Sequence, residues 1–251
     1  MDLGLDGRTV IVTGASGGMG RAIARGFAAE GADVVLTYHR SQHEAERLAK
    51  EIGERTLTVP FDLEDPGSAG AVADAALDWT GRIDVLVNSA LHWSAAGLAP
   101  DRPFEAVPDA DWQQLLHVNI AGSLWLSRAV APAMRERRWG RLVHLSTTFV
   151  ANGFAGAEYY SAAKAALHGF SRSAAFSLGR DGDILSNVVM PSLTRTDTNT
   201  AVTEAIGDQF SATAPIGRLL DAEEVANSVV YLGSAANTGI TGQVIAISGG
   251  S

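Results

Sequence analysis

Tyr160 and Lys164 stand four residues apart in Tyr159-Tyr160-Ser161-Ala162-Ala163-Lys164. On a helix that spacing puts both side chains on one face, aimed into the same space. A free phenol has a pKa of about 10 and a free ammonium about 10.4. A neighbouring ammonium favours phenolate and lowers the phenol's value. Such a pair can hand a proton to a carbonyl oxygen, or take one back in reverse, a contribution of ~10²–10⁴ in rate. Tyr159 has Ala163 in the matching place and cannot form the pair. Hydroxyls able to polarise the same carbonyl stand upstream in Leu145-Ser146-Thr147-Thr148. Any helix can carry Tyr-x-x-x-Lys, so its meaning depends on what else the fold brings to it.

A second feature bears on chemistry. Val10-Ile11-Val12-Thr13-Gly14-Ala15-Ser16-Gly17-Gly18-Met19-Gly20 reads as a strand running into a glycine turn and then a helix. Glycines at 14, 18 and 20 let backbone N–H groups approach a pyrophosphate, and the helix N-terminus adds partial positive charge. Glycines also serve plain packing turns, so position decides between the readings.

The elements that must place these residues follow a repeating pattern. Apolar runs at Thr9–Val12, Asp33–Leu36, Thr56–Val59, Val85–Val87, Leu142–Leu145, Ser186–Val189 and Val244–Ile247 are mostly unbroken by polar residues, as in strands covered on both faces. Between them apolar residues recur at helical spacing, as in Ile23/Phe27 and Val225/Val229/Leu232. Alternation of this kind predicts one α/β domain over 1–251, a doubly wound parallel sheet of about seven strands with helices on both faces. Two irregular stretches, 90–108 and 191–215, follow strand ends on the ligand edge, where they would wall or cover a pocket; 191–215 is the expected substrate lid.

The spacing Thr-Gly-x-x-x-Gly-x-Gly, joined to Tyr-x-x-x-Lys, resembles the short-chain dehydrogenase/reductase family. The resemblance runs from Leu5-Asp6-Gly7 to Ser248-Gly249-Gly250. It implies a Rossmann-type fold holding a nicotinamide dinucleotide, with Gly14, Ser16, Gly17, Gly18, Met19 and Gly20 at the pyrophosphate. By the same resemblance Asp62 and Leu63 would meet adenine, although Asp62 could instead cap the following helix. Asn88, Ser89 and Ala90 would flank the cofactor, and the backbone around Pro191, Leu193 and Thr194, with Thr196, would bind the carboxamide. Tyr160 would be the proton donor, and Lys164 would lower its pKa and bind ribose. Asn119 would hold a relay water; its other reading is a core amide satisfied by backbone. The carbonyl-polarising hydroxyl falls thirteen residues before Tyr160, at Thr147 where the family has Ser, with Ser146 as the alternative. Further departures are Leu91 for Gly in Asn88-Ser89-Ala90-Leu91, Ser192 for Gly after Pro191, and Ser248 for Asp near the end.

The second strand leads into Tyr38-His39-Arg40-Ser41, with no acid to repel a ribose 2′-phosphate. His39, Arg40 and Ser41 could bind that phosphate, which predicts NADPH/NADP over NADH; a solvated basic turn is the plainer reading. Gly17 stands where relatives often carry a base, which weakens the case. The candidate pocket walls hold Trp93, Phe149, Phe154, Tyr159 and Phe210 with few charges, and Ser192 would shape how the ketone docks. Together they suit a flat aromatic ketone, and the chain looks similar to actinomycete ketoreductases that tailor angucycline-type aromatic polyketides. A general 3-oxoacyl or carbonyl reductase and a non-catalytic NADP(H)-binding protein are the rivals.

A net charge of −9 without a basic run speaks against nucleic acid and anionic membrane as partners. Cys is absent from the 251 residues, which removes thiolate chemistry and Cys-ligated zinc, and the six His show no ligand spacing, so no metal is expected. No secretory leader and no membrane span are read, so a cytoplasmic location is expected. Long Ala/Leu-rich helices over 109–137 and 158–178 exceed what one sheet face can cover, and the family resemblance implies that such helices pair between subunits, giving a homo-oligomer, a tetramer or a dimer.

Overall fold

Branched apolar residues dominate the strands because both faces of each strand are buried. Val10, Val12, Val34, Leu36, Val85, Val87, Val143 and Leu145 pack on one side of the sheet, while Ile11, Val35, Leu86 and Leu142 pack on the other. The strict alternation of a strand therefore feeds two separate cores. The computed structural model describes residues 2–94, 96–98 and 100–251.

The strands are β1 (Thr9–Val12), β2 (Asp33–Tyr38), β3 (Thr56–Pro60), β4 (Val85–Asn88), β5 (Trp139–Leu145), β6 (Asp183–Pro191), β7 (Thr194–Arg195), β8 (Leu220–Asp221) and β9 (Val244–Ile247). The helices are α1 (Gly18–Ala29), α2 (Gln42–Ile52), α3 (Pro66–Thr80), α4 (Asp109–Arg137), α5 (Phe149–Asn152), α6 (Glu158–Leu178), α7 (Thr200–Thr213) and α8 (Ala222–Gly233). Seven strands form one parallel sheet in the order β3-β2-β1-β4-β5-β6-β9. Residues of α1 and α8 fill one core, and residues of α3, α4 and α6 fill the other.

The expected α/β architecture is the observed one. The chain winds outward from β1 to β3, then returns to place β4 on the other side of β1. The crevice at this reversal opens at the C-terminal strand ends, where ligands of such sheets bind. Strand ends differ from the apolar runs: β2 continues to Tyr38, and β6 spans Asp183–Pro191 because its neighbours β5 and β9 pair along its length. The 191–215 segment is mostly ordered structure rather than irregular loop. Its β7 pairs with β8 in a small parallel ribbon, and α7 fills its second half.

Candidate functional site

The glycine turn is built by close approach. Gly14 has φ +65, and a Cβ there would stand 3.0 Å from Ala90 Cα. At Gly20 a Cβ would lie 2.2 Å from the Gly14 carbonyl oxygen, so only glycine lets α1 start this close to the end of β1. At Gly18 it would meet Thr196 Cβ at 2.4 Å. Thr13 Oγ1 accepts from the N–H groups of Ser89 and Ala90, both at 2.9 Å, and ties the end of β4 to the turn. Gly17 precedes α1 with no side chain capping the helix, which leaves its first N–H groups facing outward.

These residues floor a groove of about 540 Å³ lined by Gly14, Ser16, Gly17, Gly18, Met19, Gly20, His39, Arg40, Ser41, Asp62, Leu63, Ser89 and Ala90. Those residues, all expected at the cofactor, are thus brought together. A cradle that any Cβ would fill, an open helix N-terminus and a long polar groove fit a dinucleotide. Arg40 makes no hydrogen bond or ion pair among the described residues. Asp65, not Asp62, caps α3, its carboxylate accepting from Gly67 N–H at 2.8 Å. Asp62 is left at the groove wall with His39 Nε2 3.6 Å away.

Beyond the groove lies a second cavity of about 310 Å³, lined by Tyr160, Lys164, Ser146, Thr147, Pro191, Ser192, Leu193, Thr194 and Thr196. Helix α6 carries Tyr160 and Lys164 on its buried side. Lys164 Nζ donates to the Leu145 carbonyl oxygen at 2.9 Å. Burial pushes the Lys164 pKa down to about 8. The Tyr160 phenol is pushed up to about 12 by burial, with the Thr147 hydroxyl pulling it the other way. Burial is the larger of these two influences, Lys164 is not among the causes of the shift, and Tyr160 stays protonated at neutral pH.

The two candidate hydroxyls part company at the end of β5. Ser146 Oγ is 2.8 Å from His168 Nε2 and donates to the Lys164 carbonyl oxygen at 3.4 Å. The Thr147 hydroxyl faces the Tyr160 phenol closely enough to pull its pKa down. Two amides also sit differently from expectation. Asn119 is buried, accepting from His92 N–H at 2.8 Å and donating to the His92 and Leu115 carbonyls. Its side chain braces the loop after β4 through backbone partners, as in the core-amide reading. Asn88, expected at the cofactor, donates to Ser127 Oγ at 3.0 Å and lies 3.1 Å from His144 Nδ1. It ties β4 to α4 and β5, and it is not a groove-lining residue. Burial drives His144 down to about 4, so its ring is neutral.

The outer wall of the cavity is aromatic and aliphatic. Phe149 and Phe154 stack with centroids 4.5 Å apart, and Phe210 lies within about 6 Å of each. Val202, Ile206 and Phe210 form one face of α7 at four-residue spacing, a helical rhythm within the stretch expected to be irregular. Asn199 anchors the base of α7, accepting from Thr196 N–H and donating to the Thr194 carbonyl. Tyr159, expected in the pocket wall, instead stacks on Trp112 and donates to the Phe104 carbonyl. Trp93 lines both the groove and the cavity. Among the residues lining the cavity only Lys164 is ionised at neutral pH.

Comparison with known proteins agrees with this geometry. A family model described as enoyl-(acyl carrier protein) reductase matches residues 14–251. The 3-oxoacyl-[acyl-carrier-protein] reductase FabG of Aquifex aeolicus is 33% identical, covering 100% of this chain and 99% of the relative. FabG of Escherichia coli is 34% identical over 99% of this chain and 98% of its own length. A solved short chain dehydrogenase/reductase family protein superposes with a TM-score of 0.85 at 35% identity, covering 100% of this chain and 98% of that one. A Brucella melitensis structure titled short-chain dehydrogenase/reductase SDR:Glucose/ribitol dehydrogenase gives 0.87 at 29% identity, with coverage of 100% and 98%. With the glycine cradle, the Tyr160–Lys164 pair and full-length likeness in agreement, the chain belongs to the short-chain dehydrogenase/reductase family and is an oxidoreductase of the C=O/CH–OH couple.

Proposed function

We propose that this chain is an NADPH-dependent ketoreductase acting on a polycyclic aromatic ketone of the polyketide type, with angucyclinone-like compounds as the reference case. The observation that carries this reading is the cavity at Tyr160, walled by Phe149, Phe154, Phe210, Val202 and Ile206 with no surface cation. A flat apolar ring system gains from such walls, whereas a phosphorylated or strongly anionic substrate meets no cation among the described lining residues besides the buried Lys164.

The reduced nicotinamide, when bound, supplies the hydride. Gly14 through Gly20 would hold the pyrophosphate, Asp62 and Leu63 the adenine, and His39, Arg40 and Ser41 the 2′-phosphate. Pro191, Leu193, Thr194 and Thr196 would hold the carboxamide, and Lys164 the ribose. Thr147 donates a hydrogen bond to the ketone oxygen, and Tyr160, protonated through the neutral range, delivers its proton to that oxygen. The Lys164 ammonium steadies the phenolate that Tyr160 becomes. Ser192 beside the reacting carbon orients the ketone, and the 191–215 segment is the cover of the site.

The test is NADPH consumption with a panel of polycyclic aromatic ketones beside a 3-oxoacyl thioester. Turnover of the polycyclic ketones supports the reading. Turnover of the thioester alone selects a general 3-oxoacyl reductase, the activity named for the FabG relatives. NADPH binding with no turnover of either would select a non-catalytic role. Arg40→Ala is expected to raise KM for NADPH by about tenfold or more while leaving NADH unchanged; equal effects on both would remove the 2′-phosphate assignment. The outer faces of α4 and α6 leave an open apolar groove lined by Trp112, Leu116, Ile120, Leu124, Trp125 and Phe170, which a second copy of the chain would cover. Light scattering at micromolar concentration tests this, and a monomer would defeat it. The described residues contain no helix long and apolar enough to cross a membrane.

A further inference from the structure

Trp93 is a large apolar side chain with 52% of its surface exposed, an unusual place for an indole. Its ring centroid lies 5.0 Å from that of Tyr160, the planes tilted by 31°. It also lies against Gly97, where a Cβ would stand 2.5 Å from Trp93 Cε3. The Gly97 N–H donates to the Ser94 carbonyl at 2.9 Å. Among the described residues, Met19, Ser89, Leu91 and Trp93 alone line both the dinucleotide groove and the ketone cavity, which puts the indole at the throat between them.

We propose that Trp93 is the residue that selects aromatic over saturated ketones, its indole exchanging its contact with the Tyr160 ring for a contact with an aromatic ring of the substrate. This rests on the ketoreductase reading above. A ketone must bring its oxygen to the Tyr160 hydroxyl, so its body arrives beside the phenol where the indole rests. Moving the indole gives up an aromatic contact, and a substrate with its own ring restores one while a saturated substrate does not. Phe149 and Phe154 supply a second aromatic surface on the cavity wall, so an incoming planar ring meets rings on two of its boundaries. Gly97 is what leaves the indole room to lie in this position.

The matched probes are 2-tetralone and 2-decalone, bicyclic ketones of similar size that differ in one aromatic ring. In Trp93→Ala the kcat/KM for 2-tetralone should fall by about tenfold relative to that for 2-decalone. Trp93→Phe should keep most of the preference. Gly97→Ala, which pushes the indole off its seat and leaves it present, should shift the ratio in the same direction as Trp93→Ala. Binding is read separately: 2-tetralone should quench tryptophan fluorescence of the NADP-loaded wild type and lose most of that quenching in Trp93→Phe. An unchanged ratio in Trp93→Ala, or equal quenching in wild type and Trp93→Phe, would overturn the proposal. If wild type reduces neither probe, the ketoreductase reading fails on its own, and the fluorescence comparison still decides whether Trp93 meets the aromatic ring.

Discussion

Replacing Lys164 by methionine removes a charge that the fold holds in a dry place. Lys164 is 5% exposed, and burial takes its pKa from 10.5 to about 8. At ~1.4 kcal/mol per pKa unit, that drop corresponds to about 3 kcal/mol of destabilisation by the charged form. Below pH 8 the folded and unfolded chains both carry the proton, so the penalty acts in full. Between 8 and 10.5 only the unfolded chain stays protonated, and wild-type stability rises with pH; above 10.5 the difference is spent. Methionine removes the penalty and forfeits the hydrogen bond to the Leu145 carbonyl, worth about 1 kcal/mol. Lys164→Met should therefore be more stable than wild type by about 2 kcal/mol near neutral pH, a rise of roughly 4–8 °C in Tm for a chain of this size. Near pH 11 it should be slightly less stable than wild type. The assay is thermal or urea unfolding at both pH values and one protein concentration, since association would shift both midpoints. Turnover should meanwhile drop by ~10² or more. A variant less stable than wild type at neutral pH, or a margin independent of pH, would refute the argument that Lys164 is retained for chemistry against the interest of the fold.

Thr147→Ala should lower kcat by about 10²-fold, because it removes the hydroxyl that meets both Tyr160 and the ketone oxygen, while Ser146→Ala stays within a few-fold; steady-state kinetics showing the reverse would move the role to Ser146. Gly20→Ala should abolish dinucleotide binding in a calorimetric titration and lower stability by about 1–3 kcal/mol, because its Cβ would meet backbone that cannot step aside; normal binding would refute the cradle. The kcat/KM for ketone reduction should fall as pH rises through about 8, where Lys164 loses its proton, with no matching loss until Tyr160 titrates near 12. A profile flat from neutral pH to about 10 would remove Lys164 from the proton chemistry.

The α/β alternation, the glycine turn and the Tyr160–Lys164 pair were all legible along the chain. Each is a local rule: a strand's apolar run, a turn only glycine can make, a four-residue spacing on a helix. The expectations that needed correction concern residues whose role depends on a partner distant in sequence. Asn88 and Asn119 read as site residues by position, yet their amides are taken up by α4, β5 and the loop at His92. The choice between Ser146 and Thr147 could not be read locally either. Neighbouring residues at a strand end point to opposite sides, and only the position of His168 and Tyr160 shows which side is which.

The face Val202/Ile206/Phe210 was present as a four-residue rhythm, but nothing along the chain said that β7 and β8 would pin that helix over the cavity. Charge neighbours are visible in a sequence and burial is not. That is why the upward push of burial on the Tyr160 phenol was not legible along the chain. Sequence alone determined the fold, the glycine turn and the shared helical face of Tyr160 and Lys164, because short-range sterics and periodicity dictate them. Tertiary structure decided which hydroxyl faces the phenol, which amides are consumed as braces and how dry the site is, because those depend on what long-range packing brings within hydrogen-bond reach and shuts away from water.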